Sequence, residues 1–253
     1  LGGKPPELFD QAKDGVVDIV WTVLGYTPGR FPKTEAFELP FSSGLAEPAS
    51  RAFQEYVEKF AMDEFKDVKL IGVHVHGPGL IHSLQPVTKL EDMKGLKVRG
   101  GSRIINIMLE QLGATPVGMP VPAVADAVSK GTIDGFVLPW EVIPAFKLHE
   151  MVKFHTETDA THPAMYSAGF IFAMNQAKYD SLPADLKKVI DDNAGLALSK
   201  QIGKTWDASQ AVGRKAAEAR GNTFIKLSAA ETDVWARQAA PLYDEWVADM
   251  DKR

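Results

Sequence analysis

Short apolar runs rich in β-branched residues alternate with amphipathic segments along most of the chain, and this alternation constrains the fold more than any other feature. The runs 16–23, 68–74 and 96–99 are typical of buried strands. The segment that follows Pro48 repeats its apolar residues at steps of three and four, which predicts a helix with one buried face. Strands and helices that alternate in this way indicate an α/β fold.

Two stretches of the chain resemble each other. Residues 13–19 and 130–136 both close a helix with glycine directly before a strand, which favours two related α/β lobes. A long helix is predicted from about 183 to 220, with Ser181 as its N-cap. Since no low-complexity linker separates the lobes, we expect the chain to cross between them more than once.

Composition argues against several classes of function. The 28 Lys and Arg residues are outnumbered by 33 Asp and Glu residues, and this balance disfavours a nucleic-acid partner. No window approaches the roughly 18 uninterrupted apolar residues that a membrane span requires. Cysteine is absent, which removes disulfides, thiolate nucleophiles and Cys-based zinc sites. No Gly-x-Ser-x-Gly motif occurs, so acyl transfer by a serine nucleophile is poorly supported.

Two histidines form the strongest enzyme-like pattern. His74 and His76 alternate on a predicted strand, so they point to the same face and could both reach a metal ion. His82 and His162 could join them, but no His-Glu-x-x-His spacing or compact acidic cluster accompanies the pair. We predict no metal site and favour histidines that hydrogen-bond locally or to a ligand. A metal-dependent hydrolase built on His74 and His76 is the alternative.

Arg99 ends a predicted strand and is followed by the glycine-rich loop 100–102. A permanently charged guanidinium at a strand end lies where α/β folds commonly bind ligands. The alternative for Arg99 is a surface ion pair with Asp or Glu. A second glycine-rich loop, 76–79, also follows a strand, and its backbone N–H groups could either meet an anion or form a plain turn.

Three aromatic residues, Trp21, Phe136 and Trp140, lie at or near the ends of predicted strands. Most aromatic side chains in such positions belong to the core. If the strand ends face one another across a cleft, these three side chains would instead form the wall of a ligand site.

Several motifs resemble those of the substrate-binding proteins of tripartite ATP-independent periplasmic (TRAP) transporters. The likeness rests on Leu1-Gly2-Gly3 together with residues 11–18, on residues 90–99, and on residues 112–120 leading to 131–135. It covers nearly the whole chain, and the second motif and its distance to the third are specific. In that family the opening Leu-Gly follows a first strand and helix, so the resemblance implies that several tens of residues are missing upstream.

The resemblance implies a two-lobed periplasmic-binding-protein fold, similar to class II, with a cleft between the lobes and a long connecting helix. We expect lobe I to comprise residues 1–76 plus 164–203, and lobe II to comprise residues 77–163 plus 204–253. It also implies a monomeric periplasmic protein that closes over an organic acid and delivers it to integral-membrane permease subunits. We expect the protein to catalyse no reaction and to bind neither a cofactor nor a nucleic acid.

Arg99 matches the arginine with which the family clamps a ligand carboxylate. Gly79 occupies about the position where many sialic-acid-type members carry a second arginine, and Leu138 replaces an asparagine that hydrogen-bonds the ligand. The resemblance therefore implies a monocarboxylate with an apolar body, which we expect to be aromatic, such as a benzoate or an aryl 2-oxo acid. The residues expected to bind it are Arg99, Gly101, Trp21, Phe136 and Trp140, with His74, His76 or His162 meeting a hydroxyl or 2-oxo group.

Overall fold

A computed structural model describes residues 3–253 of the 253-residue chain. Leu1 and Gly2, which open the first of the motifs above, lie outside the described residues. The strands are β1 (Ile19–Val23), β2 (Val68–Val75), β3 (Gly79–Ser83), β4 (Lys97–Gly100), β5 (Thr115–Gly118), β6 (Gly135–Pro139), β7 (Phe154–Glu157), β8 (Gly169–Asn175) and β9 (Thr223–Lys226).

The α-helices are joined to these strands by loops and single turns of 3-10 helix. They are α1 (Leu8–Lys13), α2 (Ala46–Tyr56), α3 (Arg103–Gln111), α4 (Val124–Ser129), α5 (Gln176–Asp180), α6 (Ala184–Asp192), α7 (Gly195–Ala219), α8 (Ala229–Ala239) and α9 (Pro241–Met250). A π-helical turn, Val57–Ala61, extends α2. The α/β prediction is confirmed.

The strands form two separate sheets. The smaller sheet has the order β1-β8-β2, with β8 antiparallel to both neighbours. Its first face packs on an apolar cluster that includes Phe53 of α2 and Val20 of β1. Because side chains alternate along a strand, Trp21 points away from this cluster, to the second face of the sheet.

The larger sheet has the order β5-β4-β6-β3-β7-β9 and mixes parallel with antiparallel pairs. On one face, Val98 and Val137 pack against α3 and α8, where Met108 and Trp235 are fully buried. On the other face, α4 and the segment 140–152 cover β3 and β6. Both faces of β6 are therefore covered, and all five of its residues are buried.

The helix predicted after Pro48 begins two residues earlier, at Ala46. The carboxylate of Asp207, on α7, accepts the backbone N–H groups of Ala46 at 2.7 Å and Glu47 at 2.9 Å. These are orphan donors of a helix N-terminus, and a carboxylate there satisfies them and meets the positive end of the helix dipole. This cap joins the two helices and comes from a residue 160 positions or more along the chain, so local sequence could not reveal it.

The prediction of one helix over 183–220 is wrong, because α6 ends at Asp192 and α7 starts at Gly195. Gly195 has a φ of +63°, in the left-handed region that glycine tolerates, and the chain turns there. Ser181 is not the N-cap either: Pro183 occupies that position, with no side-chain hydrogen bond.

The 25-residue helix α7 contacts elements of both sheets. The hydroxyl of Ser199 donates to the carbonyl of Val73 on β2 at 2.6 Å, and Arg214 pairs with Glu157 on β7. The lobe boundary predicted at residue 203 falls inside this helix. Within residues 3–253, none of the helices is long and apolar enough to cross a membrane.

Candidate functional site

Arg99 carries a buried guanidinium near the end of β4. Its side chain is only 2% exposed, and burial lowers its pKa because the charged form loses water. Nε donates to the carbonyl of Met119 at 2.8 Å, and Nη1 donates to the carbonyl of Val137 at 3.3 Å. Within residues 3–253, no carboxylate forms an ion pair with Arg99. A buried charge without a counter-ion is costly, so this position favours an anion.

Small and hydroxyl-bearing residues surround the guanidinium. A Cβ on Gly101 would lie 3.0 Å from Nη2 of Arg99, so only glycine leaves this space free. The hydroxyl of Tyr26 lies within hydrogen-bonding reach of Arg99 and accepts the N–H of Val121 at 3.1 Å. The buried phenol of Tyr166 lies close enough for the charge of Arg99 to oppose the rise in its pKa that burial causes.

Gly79 lies directly against the ring of Tyr166. A Cβ built on Gly79 would come within 2.1 Å of Cε1 of that ring. A longer residue here would therefore displace Tyr166. The resemblance implies that Gly79 stands where other members carry a second arginine. In this structure the ring of Tyr166 fills the space beside Gly79.

Five rings form a continuous wall on the second face of the smaller sheet and the adjoining part of α7. We call it the site aromatic layer, and it consists of Trp21, His74, His76, Phe170 and Trp206. Phe170 is central, with its centroid 5.2 Å from that of Trp21, 4.8 Å from that of His74 and 5.3 Å from that of Trp206. Trp21 keeps 45% of its surface exposed, which is unusual for an aromatic residue on a strand among so many rings.

His76 joins the site aromatic layer to the surroundings of Arg99. Its ring meets that of Tyr166 edge-on, with 5.3 Å between centroids. Burial, together with the nearby charge of Arg99, lowers the pKa of His76 to about 4. The structure therefore links Arg99, Gly101, His76, His74 and Trp21 through a continuous series of contacts and charge interactions, and their role in ligand binding stays a prediction.

Both histidines of this layer are engaged with protein groups. Nε2 of His74 accepts the indole N–H of Trp21 at 2.8 Å, and Nδ1 of His76 faces the carbonyl of Gly77. Burial lowers the pKa of His74 to about 3. Within residues 3–253, His, Asp and Glu side chains form no group of three that could hold a metal ion.

Phe136 and Trp140 were expected to pack on the ligand, but the structure buries their rings in a different group. We call this group the core histidine cluster, and it consists of His82, His155, Phe136, Trp140 and Phe224. Phe136 stacks on His82 with centroids 5.1 Å apart, and Trp140 lies 4.8 Å from His155. Phe136 becomes core because both faces of β6 are covered, and Trp140, directly after this strand, packs in the apolar cluster formed with the segment 140–152.

Within residues 3–253, His162 has Thr161 and two carboxylates as partners, and these do not include Arg99 or a ring of the site aromatic layer. Its Nε2 is 3.0 Å from the carboxylate of Asp233 and its Nδ1 is 3.4 Å from that of Asp159. The carboxylate of Asp233, followed by that of Asp159, raises the pKa of His162. His162 borders a separate cavity of about 450 Å³, which Trp140 and Lys226 also line.

The loop 76–79, one of two candidate anion cradles, is occupied by the protein itself. The N–H of Gly77 donates to Oε1 of Glu141 at 2.8 Å, and the N–H of Gly79 donates to the carbonyl of Tyr166 at 3.0 Å. Burial raises the pKa of Glu141 to about 7. These contacts support the plain-turn interpretation of the loop.

Sequence reasoning missed four residues of this region: Tyr26, Tyr166, Phe170 and Trp206. The alternation of β8 offered a signal for Phe170, because it lies on the strand face opposite Ile171 and Ala173, which join the apolar cluster. Trp206 lies on α7, and nothing local distinguishes it from a helix residue that packs in a core. Its position depends on how α7 crosses the smaller sheet.

Comparison with known proteins identifies the family. Residues 1–249 match the model of bacterial extracellular solute-binding protein, family 7. The chain belongs to this family. Its members are extracytoplasmic receptors that bind small organic acids and work with the membrane permease components of TRAP transporters.

Two solved structures are similar over the whole chain. A TRAP solute-binding protein from Rhodoferax ferrireducens T118, in complex with copurified benzoate, is 51% identical with a TM-score of 0.98. A marine metagenome TRAP solute-binding protein specific for aromatic acid ligands, in complex with 3-hydroxybenzoate, is 51% identical with a TM-score of 0.97. In each comparison the alignment covers 100% of this chain and 79% of the other chain.

Among curated relatives, the C4-dicarboxylate-binding periplasmic protein DctP of Rhodobacter capsulatus is 23% identical over 83% of this chain. The match spans 63% of that relative's length, and a solute-binding protein of Albidiferax ferrireducens is matched over 54% of its length. The chain thus spans less than two thirds of the length of either of these two curated relatives.

Proposed function

We propose that this protein captures an aromatic monocarboxylate in the periplasm and delivers it to the permease of a TRAP transporter, without catalysing a reaction. The observation that carries this proposal is the buried guanidinium of Arg99, which lacks a carboxylate partner within residues 3–253 and adjoins the site aromatic layer. The positive charge of Arg99 favours a ligand with an anionic group at one end. The rings of the site aromatic layer favour a flat apolar body at the other end.

The ligand carboxylate completes the hydrogen bonds of Arg99. Of the five N–H groups of the guanidinium, two donate to carbonyl groups and one can meet the hydroxyl of Tyr26, which leaves two for the carboxylate. Charge-assisted hydrogen bonds of this kind are each worth about 1.5–3 kcal/mol. The hydroxyls of Tyr26 and Tyr166 belong to rings that interact with the guanidinium, and an O–H group near this position favours a negatively charged ligand group.

The aromatic body of the ligand packs on the site aromatic layer. Trp21 supplies exposed ring surface, and the indole N–H bond to His74 holds that ring in place. Ring-on-ring contacts contribute about 0.5–1.5 kcal/mol beyond simple burial. The two solved relatives whose ligands are benzoate and 3-hydroxybenzoate support the same class of ligand.

The proposed site therefore comprises Arg99, Gly101, His76 and Trp21, with His74 supporting Trp21. Phe136, Trp140 and His162 have no part in it. The lobes of the proposed receptor are residues 1–76 plus 164–203 and residues 77–163 plus 204–253, and the proposed receptor is a monomer.

Ligand binding stabilises a closed arrangement of these lobes. Contacts already bridge them beside the site: Arg103 at the start of α3 pairs with Glu35, and the hydroxyl of Tyr26 accepts the N–H of Val121. A ligand held by Arg99 on one lobe and by Trp21 on the other binds the closed form better than the open form. Small-angle scattering should therefore show compaction on addition of ligand.

Isothermal titration calorimetry with benzoate, hexanoate and succinate tests the proposed ligand class. We expect benzoate to bind most tightly and the Arg99→Ala variant to lose at least about 30-fold in affinity, since a stranded carboxylate costs about 2–5 kcal/mol. Arg51→Ala is the matched control, because Arg51 is an exposed arginine that pairs with Glu47 at 3.7 Å. Preferential binding of succinate, or full affinity in the Arg99 variant, would overturn the proposal.

A further inference from the structure

The two histidines of the site aromatic layer have the same tautomer. Nδ1 of His74 lies 3.3 Å from the carbonyl of Val75, and Nδ1 of His76 faces the carbonyl of Gly77. A carbonyl oxygen only accepts hydrogen bonds, so each Nδ1 must carry the proton. In each ring Nε2 is then left with a lone pair and acts as an acceptor.

The two acceptors differ in what they contact. Nε2 of His74 is satisfied by the indole N–H of Trp21 at 2.8 Å. For Nε2 of His76, the part of the chain that the structure describes supplies no hydrogen-bond donor. His76 as a whole is only 4% exposed. One histidine of the pair is saturated, and the other keeps a spare acceptor.

This spare acceptor lies next to the carboxylate clamp. The ring of Tyr166 meets the ring of His76 edge-on, with 5.3 Å between centroids, and the charge of Arg99 acts on both rings in the direction that lowers their pKa values. The pKa of about 4 keeps His76 neutral near pH 7, so the ring offers a lone pair and not a second positive charge.

We propose that Nε2 of His76 selects aromatic acids that carry a hydroxyl group near the carboxylate over acids that carry a carbonyl group, or nothing, at that position. This inference rests on the proposed function and names the acid class more closely. A hydroxyl donates to Nε2 and satisfies it. A ketone oxygen would set one lone pair against another, and a ligand without a polar group would leave Nε2 dry and unpaired.

The test is a calorimetric series of matched acids on the wild-type protein. Phenylacetate, mandelate and phenylglyoxylate differ only in carrying CH₂, CHOH or C=O beside the carboxylate, and benzoate with 3-hydroxybenzoate forms a second pair. We expect the hydroxyl to raise affinity by about 3- to 10-fold within at least one pair, the value of one neutral hydrogen bond. Phenylglyoxylate is expected to bind no more tightly than phenylacetate.

The His76→Phe variant keeps a flat ring and removes the acceptor, so the preference for the hydroxyl acid should fall to about one. His74→Phe is the matched control on the same strand, and its hydroxyl preference should equal that of the wild type even where affinity for every acid falls. The wild-type series decides the question by itself where a variant fails to fold.

Three results would contradict the inference. They are equal affinity within both pairs, tighter binding of phenylglyoxylate than of mandelate, or a hydroxyl preference that survives in His76→Phe. Each of these leaves aromatic acids bound and the proposed function intact. Failure of every aromatic acid to bind would instead overturn the proposed function, and the inference with it.

Discussion

The site aromatic layer and the core histidine cluster are built from the same kinds of residue and differ in how far their polar groups are satisfied. Each has five rings: two histidines, with two tryptophans and one phenylalanine in the site aromatic layer, and one tryptophan and two phenylalanines in the core histidine cluster. In the core histidine cluster, Asn222 donates to Nε2 of His155 at 2.9 Å, and the Nδ1 atoms of His155 and His82 lie 2.7 Å apart. In the site aromatic layer, one histidine acceptor is free and Trp21 is 45% exposed.

The order of protons in the core histidine cluster follows from its end groups. Nε2 of His82 faces the carbonyl of Leu138 at 3.0 Å and must donate to it. Nδ1 of His82 therefore accepts from Nδ1 of His155, whose Nε2 accepts from Asn222. Every ring nitrogen has one partner. Residue type alone thus does not define a binding site; an unsatisfied acceptor and an unpaired charge beside exposed ring surface do.

The largest effect that separates the two groups is on stability. Phe136→Ala removes a fully buried ring from the core histidine cluster, and we expect the free energy of unfolding to fall by about 3–5 kcal/mol. Denaturant unfolding measures this loss, and Phe136→Leu should cost much less. Ligand affinity of the folded fraction should not change. A large rise in Kd with little loss of stability would instead put Phe136 in the site.

The second largest effect is expected from acid, which should lower the free energy of unfolding through the core histidine cluster. Burial lowers the pKa of His155 from 6.5 to about 4, with the charges of His149 and Arg214 adding to the shift. Between these pH values the unfolded chain binds a proton that the folded chain does not, so stability falls as pH falls. The contribution is present above pH 6.5 and is lost at about 1.4 kcal/mol per pH unit, up to about 3 kcal/mol.

A difference measurement isolates this contribution. Burial raises the pKa of Glu38, Glu64 and Glu141 to about 7, and these carboxyls act in the opposite direction, since they destabilise the protein as pH rises. They are common to the wild type and to His155→Phe. Unfolding curves between pH 7 and 4 should therefore show a gap between the two proteins that narrows toward low pH. A constant gap would contradict the lowered pKa of His155 in the folded protein.

The smallest effect is expected at Trp21. Trp21→Ala should lower affinity for benzoate by about 3- to 10-fold, the value of a ring contact, and should cost only about 1 kcal/mol of stability because the ring is half exposed. Calorimetry and denaturant unfolding measure the two quantities. His162→Gln serves as a control outside the site, with both quantities unchanged. A Trp21 variant with wild-type affinity would remove this residue from the site.

Part of the site could be predicted because its determinants are local. The i, i+2 spacing of His74 and His76 guarantees a common strand face, and Arg99 lies where a strand meets a glycine-rich loop. Phe136 and Trp140 could not be sorted in the same way. Whether a strand-end ring is covered depends on how α4 and the segment 140–152 fold back over β6, and the sequence pattern does not reveal this packing.

The same distinction holds for the fold. Alternating apolar runs locate the strands, since each strand carries its own pattern. The break between α6 and α7 depends on the backbone of one residue, Gly195, and the start of α2 depends on Asp207 of a distant helix. Neither a single backbone conformation nor a contact with a distant helix produces a periodic pattern in the sequence.

A crystal structure of the protein with 3-hydroxybenzoate tests the central claim most directly. We predict that the carboxylate oxygens lie about 3 Å from the guanidinium nitrogens of Arg99 and that the aromatic ring packs on the site aromatic layer. A ligand found instead in the cavity that His162 and Lys226 line, with Arg99 untouched, would contradict the account.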